Sequence, residues 1–148
     1  MAILQTKNDG YWEFRNGALG DLSGNGNDGT FTSTPYFNNA GLVFDGIDDK
    51  VGIGNTSTTI KTLAIVLNPK STTEDIADMD GGTHTLEVGA GTITATGWDT
   101  PSIYVDGVVS SALVADRLQT IVVTTATGFS ASNLDIGTET TFFGGTIA

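Results

Sequence analysis

The chain contains no cysteine. That excludes a disulfide framework, a thiolate metal site and a cysteine nucleophile. Basic residues are scarce: six Lys and Arg stand against 17 Asp and Glu, a formal net charge of −11. Nucleic acid demands a cationic surface that displaces counterions, and an anionic membrane surface demands the same, so neither is expected as a partner. Charged residues of both signs make up 16% of the chain, against roughly 25% in an average soluble domain. Thr, Ser, Asn and Gly must therefore cover much of the surface. No apolar run approaches the ~20 residues of a spanning helix, which argues against membrane insertion. The opening MAILQTKNDGYW lacks a basic start and a long apolar stretch, so a secretory leader is not expected there. His84 is the single histidine, too few for a multi-histidine metal centre. Nucleophile-elbow, phosphate-loop and dinucleotide motifs are all missing from the sequence.

What remains is a chain of 148 residues, 39% hydrophobic. That is the size of one domain, residues 1–148, with enough apolar material for a real core. Short β-rich runs recur between Gly, Asn, Asp and Ser. They predict strands at Tyr11–Phe14, Gly29–Phe31, Leu42–Phe44, Lys50–Ile53, Thr62–Leu67, Thr83–Val88, Thr92–Thr96, Ser102–Val105, Val108–Ser110, Gln119–Thr125, Leu134–Ile136 and Phe142–Ile147. A short helical turn is expected at Thr73–Met79. Asp106-Gly107 between two such runs is a hairpin signature, because both positions tolerate positive φ. Gly89-Ala90-Gly91 reads as a second short hairpin loop. Ile121-Val122-Val123 is apolar without alternation, as in a central strand covered on both faces. The expected fold is all-β, an antiparallel two-sheet sandwich.

Two N-terminal blocks sharpen this. Tyr11-Trp12-Glu13-Phe14 precedes the loop Asp21-Leu22-Ser23-Gly24-Asn25-Gly26-Asn27-Asp28-Gly29. Leu42-Val43-Phe44-Asp45-Gly46-Ile47-Asp48-Asp49-Lys50-Val51 follows. Together with the later Ile103-Tyr104-Val105-Asp106-Gly107, they resemble the laminin G-like jelly roll of the concanavalin A-like lectin and glucanase superfamily. The resemblance implies a jelly-roll sandwich. It also implies a calcium ion, held at a position that varies between subfamilies. The family usually continues with one more strand segment beyond Ile147-Ala148, so an edge completed by another chain or a trimmed end is expected.

Candidate site residues fall in three places. Asp21, Ser23 and Asn25 alternate before Gly26, like the first half of a Ca²⁺ turn, with Asn27, Asp28 and the more distant Asp48 as further oxygen donors. The bland reading of the same residues is a set of β-turns. Trp98, in Gly97-Trp98-Asp99-Thr100-Pro101, could stack on a sugar ring while Asp99 bonds its hydroxyls; Tyr36, beside Phe37, is a second candidate aromatic in a loop. The acidic stretch Glu74–Asp80 raises the question of a glycoside hydrolase, which needs two carboxylates roughly 5–10 Å apart in an aromatic cleft; a solvated loop is expected instead. Asn55-Thr56-Ser57 fits a glycosylation sequon. The functional expectation is a non-enzymatic extracellular or virion-surface module for adhesion or glycan binding. Its partners would be a glycan or a surface protein. The alternative is a decoration or assembly protein of a virus or phage particle, contacting capsid or tail proteins or forming a homo-oligomer. A hydrolase on the same fold ranks last.

Overall fold

A computed structural model describes residues 10–14, 17–56, 59–138 and 141–148. The opening nonapeptide and Ser57 of the sequon lie outside these. Among the described residues thirteen strands run in order: β1 Thr30–Thr32, β2 Tyr36–Asn38, β3 Gly41–Asp45, β4 Lys50–Gly54, β5 Thr59–Pro69, β6 Glu74–Asp78, β7 Thr85–Gly89, β8 Thr92–Thr96, β9 Ser102–Val105, β10 Val108–Val109, β11 Gln119–Ser130, β12 Leu134–Ile136 and β13 Gly144–Ile147. They form two antiparallel sheets, β1-β4-β12-β6-β7-β8 and β10-β9-β11-β5-β13-β3-β2. The architecture is an all-β sandwich of the jelly-roll-like kind. Period-2 alternation supplies its core: Leu42, Phe44, Ile65, Leu67, Ile121, Val123 and Ile147 from one sheet meet Val51, Ile76, Leu86, Val88, Ile93 and Ile136 from the other.

Both hairpin signatures form. Asp106 and Gly107 take φ of 52° and 80°, and Ala90 and Gly91 take 47° and 78°. Paired positive φ values twist the chain in the sense its strands require.

Four expectations are corrected. Tyr11–Phe14 is not a strand. It is anchored piecemeal: Tyr11 N–H donates to Asp21, the Trp12 indole donates to the Asn27 carbonyl, and Phe14 is buried. The helical turn at Thr73–Met79 and the solvated acidic loop are both replaced by β6, an interior strand between β12 and β7 whose five residues are all buried. Asp75 and Asp78 tolerate this because backbone N–H groups supply donors, described below. Tyr36 and Phe37 belong to edge strand β2 instead of a loop.

Register decides which side chains face outward. Across the six-stranded sheet, Thr30, Gly52, Asp135, Asp78, Thr85 and Thr96 make one row; Asp75, Glu87 and Thr94 make another; Thr32 pairs with Lys50. Across the seven-stranded sheet the outward rows are Tyr36, Val43, Thr146 and Asn68; Val66 and Thr120; Ala64, Val122, Tyr104 and Val109; and Thr62, Thr124 and Ser102. The first face carries five Asp, Glu and Lys side chains and the second rows carry none.

Candidate functional site

A pocket of about 300 Å³ opens on the outward face of the six-stranded sheet, lined by Thr32, Ser33, Asp48, Lys50, Asp78, Asp135, Thr138 and Phe142. Three neighbouring strands place its charged groups. Lys50 of β4 pairs with Asp135 of β12 at 2.8 Å, and Asp135 stands opposite Asp78 of β6 in the ladder. Gly52, in the same row, leaves the space a side chain would fill: a Cβ there would lie 3.3 Å from Asp135 Oδ1.

Asp78 is fixed by the turn that follows it. Its Oδ1 accepts the N–H groups of Asp80, Gly81 and Gly82 at 3.1, 2.9 and 2.9 Å. Gly81 and Gly82 both have positive φ, 85° and 98°, which lets successive amides point at one oxygen. Asp75, one register step along the face, accepts the Thr141 N–H at 2.5 Å. The β12–β13 connection that contributes Thr141 also brings Thr138 and Phe142 to the pocket.

Glu74 points the other way. It pairs with core residue Val88 and lies between the sheets, 4% exposed, with Oε2 lacking a hydrogen-bond partner. Burial pushes its carboxyl up to about 7, against the opposing pull of the Gly144 and Ser71 N–H groups.

The predicted site residues do not converge. Trp98 is 6% exposed, its ring edge-on to Phe129 with centroids 4.9 Å apart. Phe129 in turn stacks flat on His84 at 3.9 Å, and His84 Nδ1 meets Asp80 Oδ2 at 2.5 Å. Trp98 therefore closes one end of the core and presents no free face for stacking; a Gly-flanked loop position had suggested the opposite. Asp99 is exposed, with Oδ2 accepting the Thr127 hydroxyl. Tyr36, 61% exposed, lies on β2, at the far edge of the seven-stranded sheet from the β9 strand that follows Asp99.

The Asp21 loop closes on itself. Asp21 Oδ1 accepts the Tyr11 and Ser23 N–H groups, and Oδ2 accepts the Ser23 hydroxyl and the Asn27 N–H. Burial works against its charge, but these donors prevail and hold the carboxyl below 3.8. Ser23 Oγ accepts from Asn25, and Asp28 accepts the Asp21 N–H. These carboxylates hold the loop's own backbone, the arrangement of a set of turns. Asp48 belongs elsewhere, with Asp45 and Asp49: one carboxylate oxygen of each lies within 4.8 Å of the others. There Asp49 accepts the N–H groups of Thr34 and Asp45, and Asp45 accepts those of Ile47 and Asp48. Asp48 is thus shared between this trio and the pocket lining.

Sequence reasoning missed the pocket because Asp78 sat in a segment taken for a loop. The usable clue was Glu74–Asp78 running into Gly81-Gly82 ahead of the alternating Thr85–Val88, the pattern of a hairpin. Comparison with protein family models, curated proteins and solved structures returned no match.

Proposed function

We propose that this chain is a non-enzymatic surface module, kin to the laminin G-like jelly rolls, that binds a glycan in the pocket of its six-stranded sheet. The observation that carries the reading is the lining itself: carboxylates, hydroxyls and an ammonium beside the ring of Phe142 in about 300 Å³. That volume sits at the lower end of ligand pockets and suits a single sugar residue. Carboxylates accept from vicinal hydroxyls, Lys50, Ser33 and the threonines donate to them, and an aromatic ring covers the apolar face of a pyranose. Asp78 and Asp135 serve as acceptors for N–H and ammonium donors. An extracellular or virion-surface location follows from the binding role.

A glycan array probed with the labelled chain tests this. Binding is expected, and Asp135→Asn and Phe142→Ala should each weaken it about 5- to 100-fold, the scale of a truncated hot spot. Running the array with calcium and with chelator assigns a role to Asp45, Asp48 and Asp49: dependence on calcium, lost in Asp48→Asn, places the ion beside the pocket. An array blank in both conditions refutes the glycan reading and leaves structural decoration of a virus or phage particle.

A further inference from the structure

We propose that the outward face of the seven-stranded sheet is a dimer interface, occupied by a second copy of this chain packed face to face. The first support is the sequence of the two central strands. Leu63–Leu67 of β5 and Ile121–Val123 of β11 are unbroken apolar runs, the pattern of strands covered on both sides. In one copy only the inner side is covered, by the sandwich core. Ala64, Val66 and Val122 point outward, and among the described residues no strand lies over them.

The second support is charge. In a chain of net charge −11, two copies repel wherever their carboxylates face one another. The rows through Tyr36, Val43, Val66, Val122, Tyr104 and Val109 carry no Asp, Glu, Lys, Arg or His. Asp45, at the end of β3, is turned into its own turn. This sheet face is therefore one a second copy can approach without charge opposing charge, and a partner bearing lysines would find nothing there to pair with.

The third support is size. The four outward rows hold 13 residues, each occupying about 4.8 Å by about 6.8 Å, giving about 420 Å² in projection. A standard interface takes roughly 800 Å² of accessible surface from each partner, so the face suits a small, weak dimer. Two such faces related by a two-fold axis contact each other with the same residues, as closed dimers do, and sheets pack face to face by interdigitating side chains of this kind.

Light scattering on the intact chain at about 0.1 mM, where a ~10 μM dimer is mostly associated, tests the proposal. A dimer is expected, tightened by raising salt from ~0.05 to ~0.5 M because the remaining repulsion is screened. Val122→Asp at the centre of the face should return it to a monomer. Val109 is 75% exposed, so Val109→Asp is the variant that keeps its fold, verified by circular dichroism, and should weaken association at least tenfold. Thr94→Asp, on the opposite sheet, should leave the dimer intact. A monomer at both salt concentrations overturns the proposal. So does a dimer that survives both face substitutions, which would point to pairing along a strand edge.

Discussion

Glu74 makes the stability of this protein depend on pH in an unusual direction. Its carboxyl is buried between the sheets with one oxygen unpartnered, and it titrates at about 7 in the folded chain against an ordinary 4.5. Between those two values the folded state binds a proton that the unfolded state has released. Stability is therefore full below pH 4.5 and falls as pH rises towards 7, the reverse of a salt-bridged carboxylate. A gap of about 2.5 pH units at 1.36 kcal/mol each amounts to about 3 kcal/mol, an upper figure because local relaxation and water entry relieve part of it. Glu74→Gln keeps the shape and removes the charge. Urea unfolding of both proteins at pH 4.5 and pH 8 is the assay. The variant should match the wild type within about 1 kcal/mol in acid and exceed it by about 2–3 kcal/mol at pH 8. A wild-type midpoint that is flat across this range, or a difference between the proteins that is the same at both pH values, would refute the reasoning.

Asp21 acts in the opposite sense. Its lowered carboxyl contributes stability that is present above 3.8 and lost as pH falls through the folded value; Asp21→Ala should cost about 1–3 kcal/mol at pH 6 by chemical denaturation and flatten the acid limb below that point. Gly97 has φ of 78°, and a Cβ there would come within 2.1 Å of the Thr83 carbonyl oxygen. Gly97→Ala should therefore cost more than about 2 kcal/mol, read as a lowered thermal midpoint, and should shift the near-ultraviolet signal of Trp98 beside it.

Local chemistry explains what the sequence disclosed. Asp106-Gly107 needs nothing beyond its own two residues to favour positive φ at both, and the alternation around Leu86 and Val88 needs only a strand and a core. The two-sheet fold was legible from such elements. What escaped depends on distant partners. β6 is acidic, yet it is interior because Asp75 finds the Thr141 amide and Asp78 finds a double-glycine turn. Sequence distance between Asp75 and Thr141 hides that compensation. Trp98 sits among Gly, Asp, Thr and Pro, a loop composition that says nothing of Phe129, which packs edge-on against it from β11 and is itself stacked on His84. The pocket failed to emerge for the same reason: Lys50, Asp78 and Asp135 come from three strands that are neighbours only in the folded sheet.

The two outer faces, taken together, specify what kind of binder results. Face-to-face packing of the seven-stranded sheets stacks four layers at about 10 Å spacing, with the six-stranded sheets outermost, about 30 Å apart. The two pockets then open in opposite directions. Such a dimer cannot set both pockets on one flat surface and gain avidity there; it bridges two surfaces instead. Beads coated with a glycan found on the array should therefore clump when the wild-type chain is added. Val109→Asp should bind the same beads with unchanged affinity per site, since its side chain lies on the far sheet from Lys50, Asp78 and Asp135, and should leave them dispersed. Clumping by Val109→Asp at a concentration where light scattering finds it monomeric would mean that one copy carries two glycan sites. Loss of single-site affinity in that variant would mean that the faces are coupled, and the division of labour between the two sheets would fall.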